Sequence, residues 1–596
     1  MTKTAHLSKE NEIAFIALSN PPMNALSQGV RAGIKSGIED ALNDSAIKAI
    51  VIHGDGNVFS AGADISEFHL PATEPHLPDV CDLIEQSQKP VIAAIHGFAL
   101  GGAFEIALST HFRIATKESS VGLPEVHLGL LPGSAGTQRT PRLVGVKSAI
   151  EIMTKGTPVK AEKALAIGAI DEIVDDLKNG AIAFAKKVIE NATPLKRLSK
   201  SEEKVENNSK NLEVIAQERA TWKKNSPHLN APQKIIDCVE QAVLLDYVGG
   251  MSFEQKTFQE LMDSEQSKSF IHAFFAERKS NKIPELERGA KPRPISKLGV
   301  IGGGTMGSGI TIAALNSGLP VTMVERDQES LERGIENVKK VYRRDVEKGR
   351  LTQEKADKIL SNYSTSTNLK DLADKDMIIE AVFEELEVKK GVFSQLNDIA
   401  KEGAVLASNT SYLDIDKIAS ATDRVGDVIG LHFFSPANIM RLLEIVVPTN
   451  VKDDVVATGF QLAKILKKVP VRAGNCDGFI GNRILENYAK AANYMMEDGT
   501  SPYEIDKAIV EFGYPMGPFQ MFDLAGGDIG WADRKRKAAF RSNEERYVTI
   551  ADRICEKGWF GQKTGRGYYK YSPGARRGEE DPEVLSVIDE ERKVKG

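Results

Sequence analysis

Over roughly the first 190 residues, short apolar runs alternate with amphipathic stretches. "IAFIALSN", "IKAIVIHGDG", "KPVIAAIHG" and "HFRIAT" have strand length, and they predict strands between helices, an α/β layer over residues 1–192. From 193 to 295 the chain turns charged and helix-prone ("PLKRLSKSEEKVENNSKNLEVIAQERATW"), a helical extension. Within it, "SNKIPELERGAKPRPIS", with three prolines and a glycine, predicts a linker. A second α/β region opens at "KLGVIGGG" and spans 296–474. "GFIGNRILENYAKAANYMMEDG" and its successors predict helices over 475–572, and residues 573–596 read as a tail, either a solvated helix or disorder. There is no short-period repeat and no low-complexity tract.

Composition narrows the function classes. A chain of 596 residues predicts roughly three to five domains. With 77 basic against 83 acidic side chains the formal charge is −6, so no global field favours nucleic acid or an anionic membrane, and small-molecule chemistry is the expectation. Cys81, Cys238, Cys476 and Cys555 form no CxxC pair, which argues against a disulfide framework or a zinc site and for a reducing compartment. The start "MTKTAHLSKENE" has no signal-peptide core, and no apolar run approaches the roughly 18 residues of a spanning helix. The terminal "KVKG" is not an SKL-type address. The expectation is a cytoplasmic protein without membrane insertion.

"KLGVIGGGTMGSGITIAALNSGLPVTMVERD" orders strand, glycine-rich turn, helix and second strand. Gly302, Gly304 and Gly307 fit G-x-G-x-x-G: a tight turn, a close approach of backbone to a pyrophosphate, and packing of helix on strand. The helix start then faces the phosphates. Glu325 closes the second strand, where a carboxylate accepts from ribose hydroxyls, and an acid there favours NAD over NADP. Oxidising an alcohol by hydride transfer also needs a base for the hydroxyl proton, and histidine suits it. Of the ten histidines only His432 lies beyond residue 272, in the otherwise apolar "LHFFSPANIMRLLEIVV" with Glu444. That carboxylate can orient an imidazole. On the residues alone a second reading stays open: a core histidine bonded to backbone, with Glu444 on a surface strand.

"GVIGGGTMGSGI", "ASNTSYLDI", "LHFFSPANIMRLLEIV", "DGFIGNRI" and "GWFGQKTGRGYYKY" fall in the order seen in L-3-hydroxyacyl-CoA dehydrogenases, which residues 296–572 resemble as one whole unit. The resemblance implies a Rossmann NAD-binding domain followed by an all-α domain. It implies His432 as base and Glu444 as its orienting partner, with Ser411 and Asn482 holding the substrate oxygen and the histidine in register. Glu384 and Lys389 would lie near the nicotinamide ribose and phosphates, although an ordinary helix-start charge pair explains them equally well. Ser435 stands where single-function members carry asparagine, as in multifunctional relatives, and Glu325 replaces the more usual aspartate.

In the first half, Glu105 follows a glycine pair at a helix start and Glu125 sits in a proline-flanked loop, downstream of the small-residue turn "VFSAGADISEF". Adding water across a conjugated thioester needs one group to activate water, one to protonate the α-carbon, and donors for the enolate oxygen. The pattern resembles the enoyl-CoA hydratase (crotonase) family over about residues 5–190. The resemblance implies Ala63 and Gly102 as the oxyanion hole, Glu105 as activator of water and Glu125 as proton donor. Ala103 replaces a third glycine common there. Crotonase folds host other chemistries too, and Δ3,Δ2-enoyl-CoA isomerisation can use the same enolate and acid. His127 reads as packing or solvent-facing, and "DRKRKAAFR" as a solvated face.

Together the halves resemble the multifunctional β-oxidation enzymes, closest in layout to the peroxisomal type 1 group. The expectation is an α/β multidomain enzyme that hydrates trans-2-enoyl-CoA to (3S)-hydroxyacyl-CoA and oxidises it with NAD to 3-ketoacyl-CoA. Its partners are acyl-CoA thioesters, with no nucleic acid. Full-length members continue with a further helical domain, so the resemblance implies an apolar face on residues 475–572, met by self-association, by the tail, or by truncation. A thiolase is a further candidate partner. Two alternatives stand beside this: a single active half, or a non-catalytic scaffold or thiolase-binding subunit. Retention of the acids, the base and the donors argues against the scaffold.

Overall fold

The computed structural model describes residues 4–68, 70–71, 73–542, 544–573, 575 and 577–595, and the chain divides into two compact units, Met1–Ala276 and Glu277–Gly596.

In the first unit the four apolar runs all become strands. The main sheet orders Thr4–Glu10, Ile13–Ser19, Ala49–Gly54, Val91–Ile95, Phe112–Thr116 and Glu172–Val174, parallel except for the first pair. Thr4–Glu10 is an edge strand of mostly polar residues, so apolar periodicity does not reveal it. Phe98–Leu100, Ser120–Gly122 and Val159–Lys160 form a smaller second sheet. The chain thus leaves the main sheet after Val91–Ile95, visits the small sheet, and returns at Phe112–Thr116. Helix Gly102–Ser109 lies on that excursion with every residue buried, since GAFEIALS offers no polar stripe.

The helical extension packs into the same core. Ile215, Ile235, Ile236, Val239 and Leu261 share one buried cluster with Ile106, Leu130 and Leu131. The proline-rich segment, expected as a linker, is pinned to the second unit. Glu285, on the short helix Pro284–Glu287, accepts from Arg472 at 2.9 Å, Arg288 bonds Asp453 at 2.8 Å, and Arg293 bonds Asp427 and Asp454, each at 2.8 Å. Its prolines break the long helices, while its charges find partners.

The second unit holds an eight-stranded sheet in the order Tyr363–Ser366, Val321–Val324, Leu298–Ile301, Met377–Glu380, Val405–Ser408, Val428–Phe433, Leu442–Val447, Val469–Gly474. Strand order reverses between Leu298–Ile301 and Met377–Glu380, the crevice where doubly wound folds bind ligands. Only Val428–Phe433 and Leu442–Val447 run antiparallel. Helices from Gly481–Glu497 onward build a second core around Met496, Tyr503, Phe519 and Ile554. The last of them, Pro582–Lys595, is no solvated tail: Val584, Val587 and Ile588, spaced for one helical face, are buried in that core.

Candidate active site

Glu105 is the one ionisable residue of its buried helix and is 3% exposed. Both of its hydrogen bonds fall on Oε1, which accepts from Ser134 N at 2.6 Å and Gly136 N at 2.9 Å. Burial outweighs these bonds and the nearby Arg139 guanidinium, and pushes the carboxyl up to about 7. Glu125 opens the 3-10 turn Glu125–Leu128, with its Oε2 buried and without a hydrogen-bond partner among the described residues. Burial first, and then the charge of Glu105, raise its pKa well above the carboxylate range. Two neighbouring buried carboxyls thus stand in unlike settings, Glu105 holding two backbone amides and Glu125 with one oxygen unpartnered, an arrangement that can separate a base from an acid.

The oxyanion candidates meet beside them. Gly101 precedes the helix at φ 56°, and a Cβ there would lie 2.9 Å from Glu125 Oε1, so Glu125 sits against the helix start. A Cβ on Gly102 would lie 2.7 Å from Leu77 Cδ2 and 3.5 Å from Ala63 N. The amides of Ala63 and Gly102 thus border one small space, and the second, first in its helix, has no intrahelical acceptor. His127 is exposed, outside this arrangement.

In the second unit the antiparallel register sets His432 directly opposite Glu444, which explains their spacing. Nδ1 lies 2.6 Å from Glu444 Oε2, and the residues are 3% and 1% exposed. A carboxylate only accepts, so Nδ1 carries the proton and Nε2 presents its lone pair. Glu444 Oε1 accepts from Ile480 N at 3.0 Å and Gly481 N at 2.8 Å, where helix Gly481–Glu497 begins. The alternative of a surface Glu444 is excluded by its burial and its bond to the ring. Phe434 and Phe479 flank the imidazole, with centroids at 4.6 and 5.5 Å.

Asn482 follows in that helix and borders a cavity of about 480 Å³ with Tyr412, Phe522 and Trp559, whose wall does not include His432. Ser411 lies in the turn after Val405–Ser408, its amide donating to Glu384 Oε1 at 2.8 Å. Asn409, in the same turn, accepts from Phe433 N at 2.9 Å and so ties the turn to the histidine strand. Lys389 is 1% exposed, with Nζ 2.7 Å from Glu380 Oε1 and 3.2 Å from the half-exposed Glu384. It is a buried lysine between two acids, beyond an ordinary surface charge pair.

The glycine turn fits a dinucleotide. Gly302 takes φ 101°, and a Cβ there would sit 2.6 Å from Ala381 O, while a Cβ on Gly307 would sit 1.9 Å from Gly302 O. Turn and helix close this tightly only on glycine. A Cβ on Gly304 would meet no atom within 4 Å and would stand in the cradle over the helix start. Glu325 Oε1 accepts from Gly303 N at 2.6 Å, so the acid at the end of the second strand and the turn form one piece.

Family models match three stretches: Enoyl-CoA hydratase/isomerase over residues 8–242, 3-hydroxyacyl-CoA dehydrogenase, NAD binding domain, over 297–476, and 3-hydroxyacyl-CoA dehydrogenase, C-terminal domain, over 478–571. The peroxisomal bifunctional enzyme of Cavia porcellus is 40% identical over 610 residues, spanning 99% of this chain and 84% of that protein. The chain belongs to that family. The peroxisomal bifunctional enzyme of Homo sapiens is 40% identical over 603 residues (98% of this chain, 83% of that protein). A peroxisomal fatty acid beta-oxidation multifunctional protein of Arabidopsis thaliana is 36% identical over 593 residues (98% and 82%). The family member described here is a bifunctional enoyl-CoA hydratase and NAD-dependent 3-hydroxyacyl-CoA dehydrogenase of fatty-acid β-oxidation, acting on acyl-CoA thioesters. The scaffold alternative falls.

The cytoplasmic location expected above is corrected by the same relatives, which are named peroxisomal and point to that organelle. An organelle address is a short segment read by a receptor and leaves no mark on fold or composition, so neither of those bears on location.

Three residues in these sites escaped the motifs. Glu254, 0% exposed, accepts from Ala135 N at 2.7 Å and Thr137 N at 2.9 Å, on the turn that also holds Glu105. Its signal was an acid on the stripe Gly250, Glu254, Thr257, Leu261, the buried face of helix Tyr247–Asp263. Glu380 binds Lys389, Val382 N and Ser408 Oγ, each at 2.7 Å; an acid ending the apolar strand MIIE was its signal. Asn409 had none beyond its place in the family motif.

Proposed function

We propose that Glu105 and Glu125 hydrate a trans-2-enoyl-CoA and that His432 serves oxidation of the resulting (3S)-hydroxyacyl-CoA. The observation that carries the reading is the pairing in each unit: two buried carboxyls in unlike hydrogen-bond settings in the first, an imidazole locked to a buried carboxylate in the second. Near neutral pH Glu105, with its pKa at about 7, takes a proton from water as the oxygen adds to C3. Glu125, held protonated, delivers its proton to C2. The N–H groups of Ala63 and Gly102 hold the enolate oxygen, a donor typically being worth about 10²- to 10³-fold in rate.

In the second unit the turn at Gly302 and Gly304 and the start of the following helix would hold the pyrophosphate of NAD, and Glu325 the ribose. NAD, when bound, accepts the hydride from C3. His432 Nε2 takes the hydroxyl proton, and Glu444 steadies the imidazolium that forms. Ser411 and Asn482 flank the substrate oxygen, and Glu384, braced by the buried Lys389, lines the nicotinamide side of the crevice.

The same protonated Glu125 and enolate support Δ3,Δ2-enoyl-CoA isomerisation as a side reaction. Self-association through the helical domain is supported by its exposed apolar side chains, Phe540 at 88%, Phe512 at 81%, Ile484 at 66% and Ile529 at 60%. Sedimentation is expected to give a dimer, and a strict monomer at micromolar concentration would overturn that part.

The main test is a coupled assay following NADH from crotonyl-CoA and from 3-hydroxybutyryl-CoA. Glu105→Gln is expected to stop flux from the enoyl substrate and to spare the hydroxyacyl one, and His432→Ala to abolish dehydrogenation while leaving hydration, read as loss of the enoyl absorbance. Variants that match the parent would refute the assignments.

A further inference from the structure

Four successive amides, Ser134 to Thr137, face two carboxylates in alternation. Ser134 N and Gly136 N donate to Glu105 Oε1, and Ala135 N and Thr137 N to the two oxygens of Glu254. The Thr137 hydroxyl, which accepts from Gln138 Nε2 at 3.0 Å, donates to Glu254 Oε2 as well. The turn is the start of helix Gly136–Val144, and Ala135 enters it at φ 73°, a left-handed conformation that an alanine holds only when its surroundings impose it. Glu254 holds that turn: it comes from the helical extension, 119 residues further along the chain, and grips the amides on both sides of the one that Gly136 offers to Glu105.

We propose that Glu254 is a positioning residue of the hydratase: by anchoring Ala135 and Thr137 it aims the amides of Ser134 and Gly136 at Glu105 Oε1 and leaves Oε2 to face the substrate pocket. The extension would then be part of the hydratase site itself. The inference rests on the reading of Glu105 as base given above. Glu254 acts through its reach. The titratable groups around it are Glu105 on the core helix, Glu125 on the 3-10 turn, Cys238 on helix Asn230–Leu244 and Tyr247 on its own helix, with Arg139 facing Glu105 from the helix that the turn begins. Burial raises the Glu254 carboxyl to about 8, above Glu105 at about 7, so it is largely uncharged where Glu105 titrates and works through its hydrogen bonds.

The test is crotonyl-CoA hydration measured against pH for the full chain, Glu254→Gln, Glu254→Asp and Glu105→Gln, each with a melting curve and with dehydrogenation of 3-hydroxybutyryl-CoA as control. Glu254→Gln, whose amide cannot accept on both sides, is expected to lower kcat about tenfold or more with KM little changed, and to move the pH profile of kcat toward higher pH, because amides no longer aimed at Glu105 stop favouring its ionised form. Glu254→Asp, one methylene short of both amides, is expected to move the profile the same way while kcat falls. A parental profile and kcat in Glu254→Gln, or a kcat lost only in proportion to unfolded protein, would overturn the proposal. If Glu254→Gln does not fold, Glu254→Asp decides, and a parental kcat there overturns it. If Glu105→Gln itself hydrates normally, the reading of Glu105 fails instead.

Discussion

Glu105 and Glu125 are the same side chain in two settings, and the difference is measurable. With the Glu105 carboxyl held at about 7, hydration is expected to rise as pH passes through neutrality, because only the ionised form accepts a proton from water. Dehydrogenation, served by a different unit, need not share that midpoint, so separate pH profiles of the two half-reactions check the point. Gly102→Ala places a methyl 2.7 Å from Leu77 and 3.5 Å from Ala63 N. The N–H stays, but the methyl crowds the space that the two amides border, so hydration is expected to fall by up to the roughly hundredfold that losing an oxyanion donor costs, with dehydrogenation intact. That Glu105, Glu125, Ala63 and Gly102 lie near one another was legible because each sits in a local motif. Glu254 was not, since the amides it grips are 117 and 119 residues away and a helix pattern shows only that a face is buried, never what it meets.

Elements decide where these residues stand. The antiparallel pairing of Val428–Phe433 with Leu442–Val447 places a histidine and a glutamate face to face. The start of Gly481–Glu497 then occupies the other oxygen of the glutamate. Glu444→Gln keeps the volume, but an amide cannot accept on both sides. Dehydrogenation is expected to drop at least about a hundredfold, as for other orienting carboxylates replaced by amides, with hydration unchanged. The apolar runs disclosed the inner strands because a buried parallel strand is apolar on both faces. They missed the polar edge strand Thr4–Glu10, and the charged sequence of Pro582–Lys595 hid three apolar residues on one helical face.

The whole molecule joins two units that work in sequence on one acyl chain. Their stabilities should respond differently to pH. Folding raises Glu105 from 4.5 to about 7 and Glu254 from 4.5 to about 8, so between those values the native chain keeps protons that the unfolded chain has released. Stability from these groups is therefore lost as pH rises across that window. In calorimetry the first unit is expected to melt at a lower temperature near pH 8.5 than near pH 6, and Glu254→Gln to reduce the difference. A last consequence concerns dissection. Because Glu285, Arg288 and Arg293 are clamped to Arg472, Asp453, Asp454 and Asp427, the stretch that looks like a hinge is a buckle belonging to the dehydrogenase. Splitting the enzyme just ahead of the nucleotide-binding strand would discard it; a polypeptide beginning near Glu277 should keep its melting temperature, and one beginning at Ser296 should not.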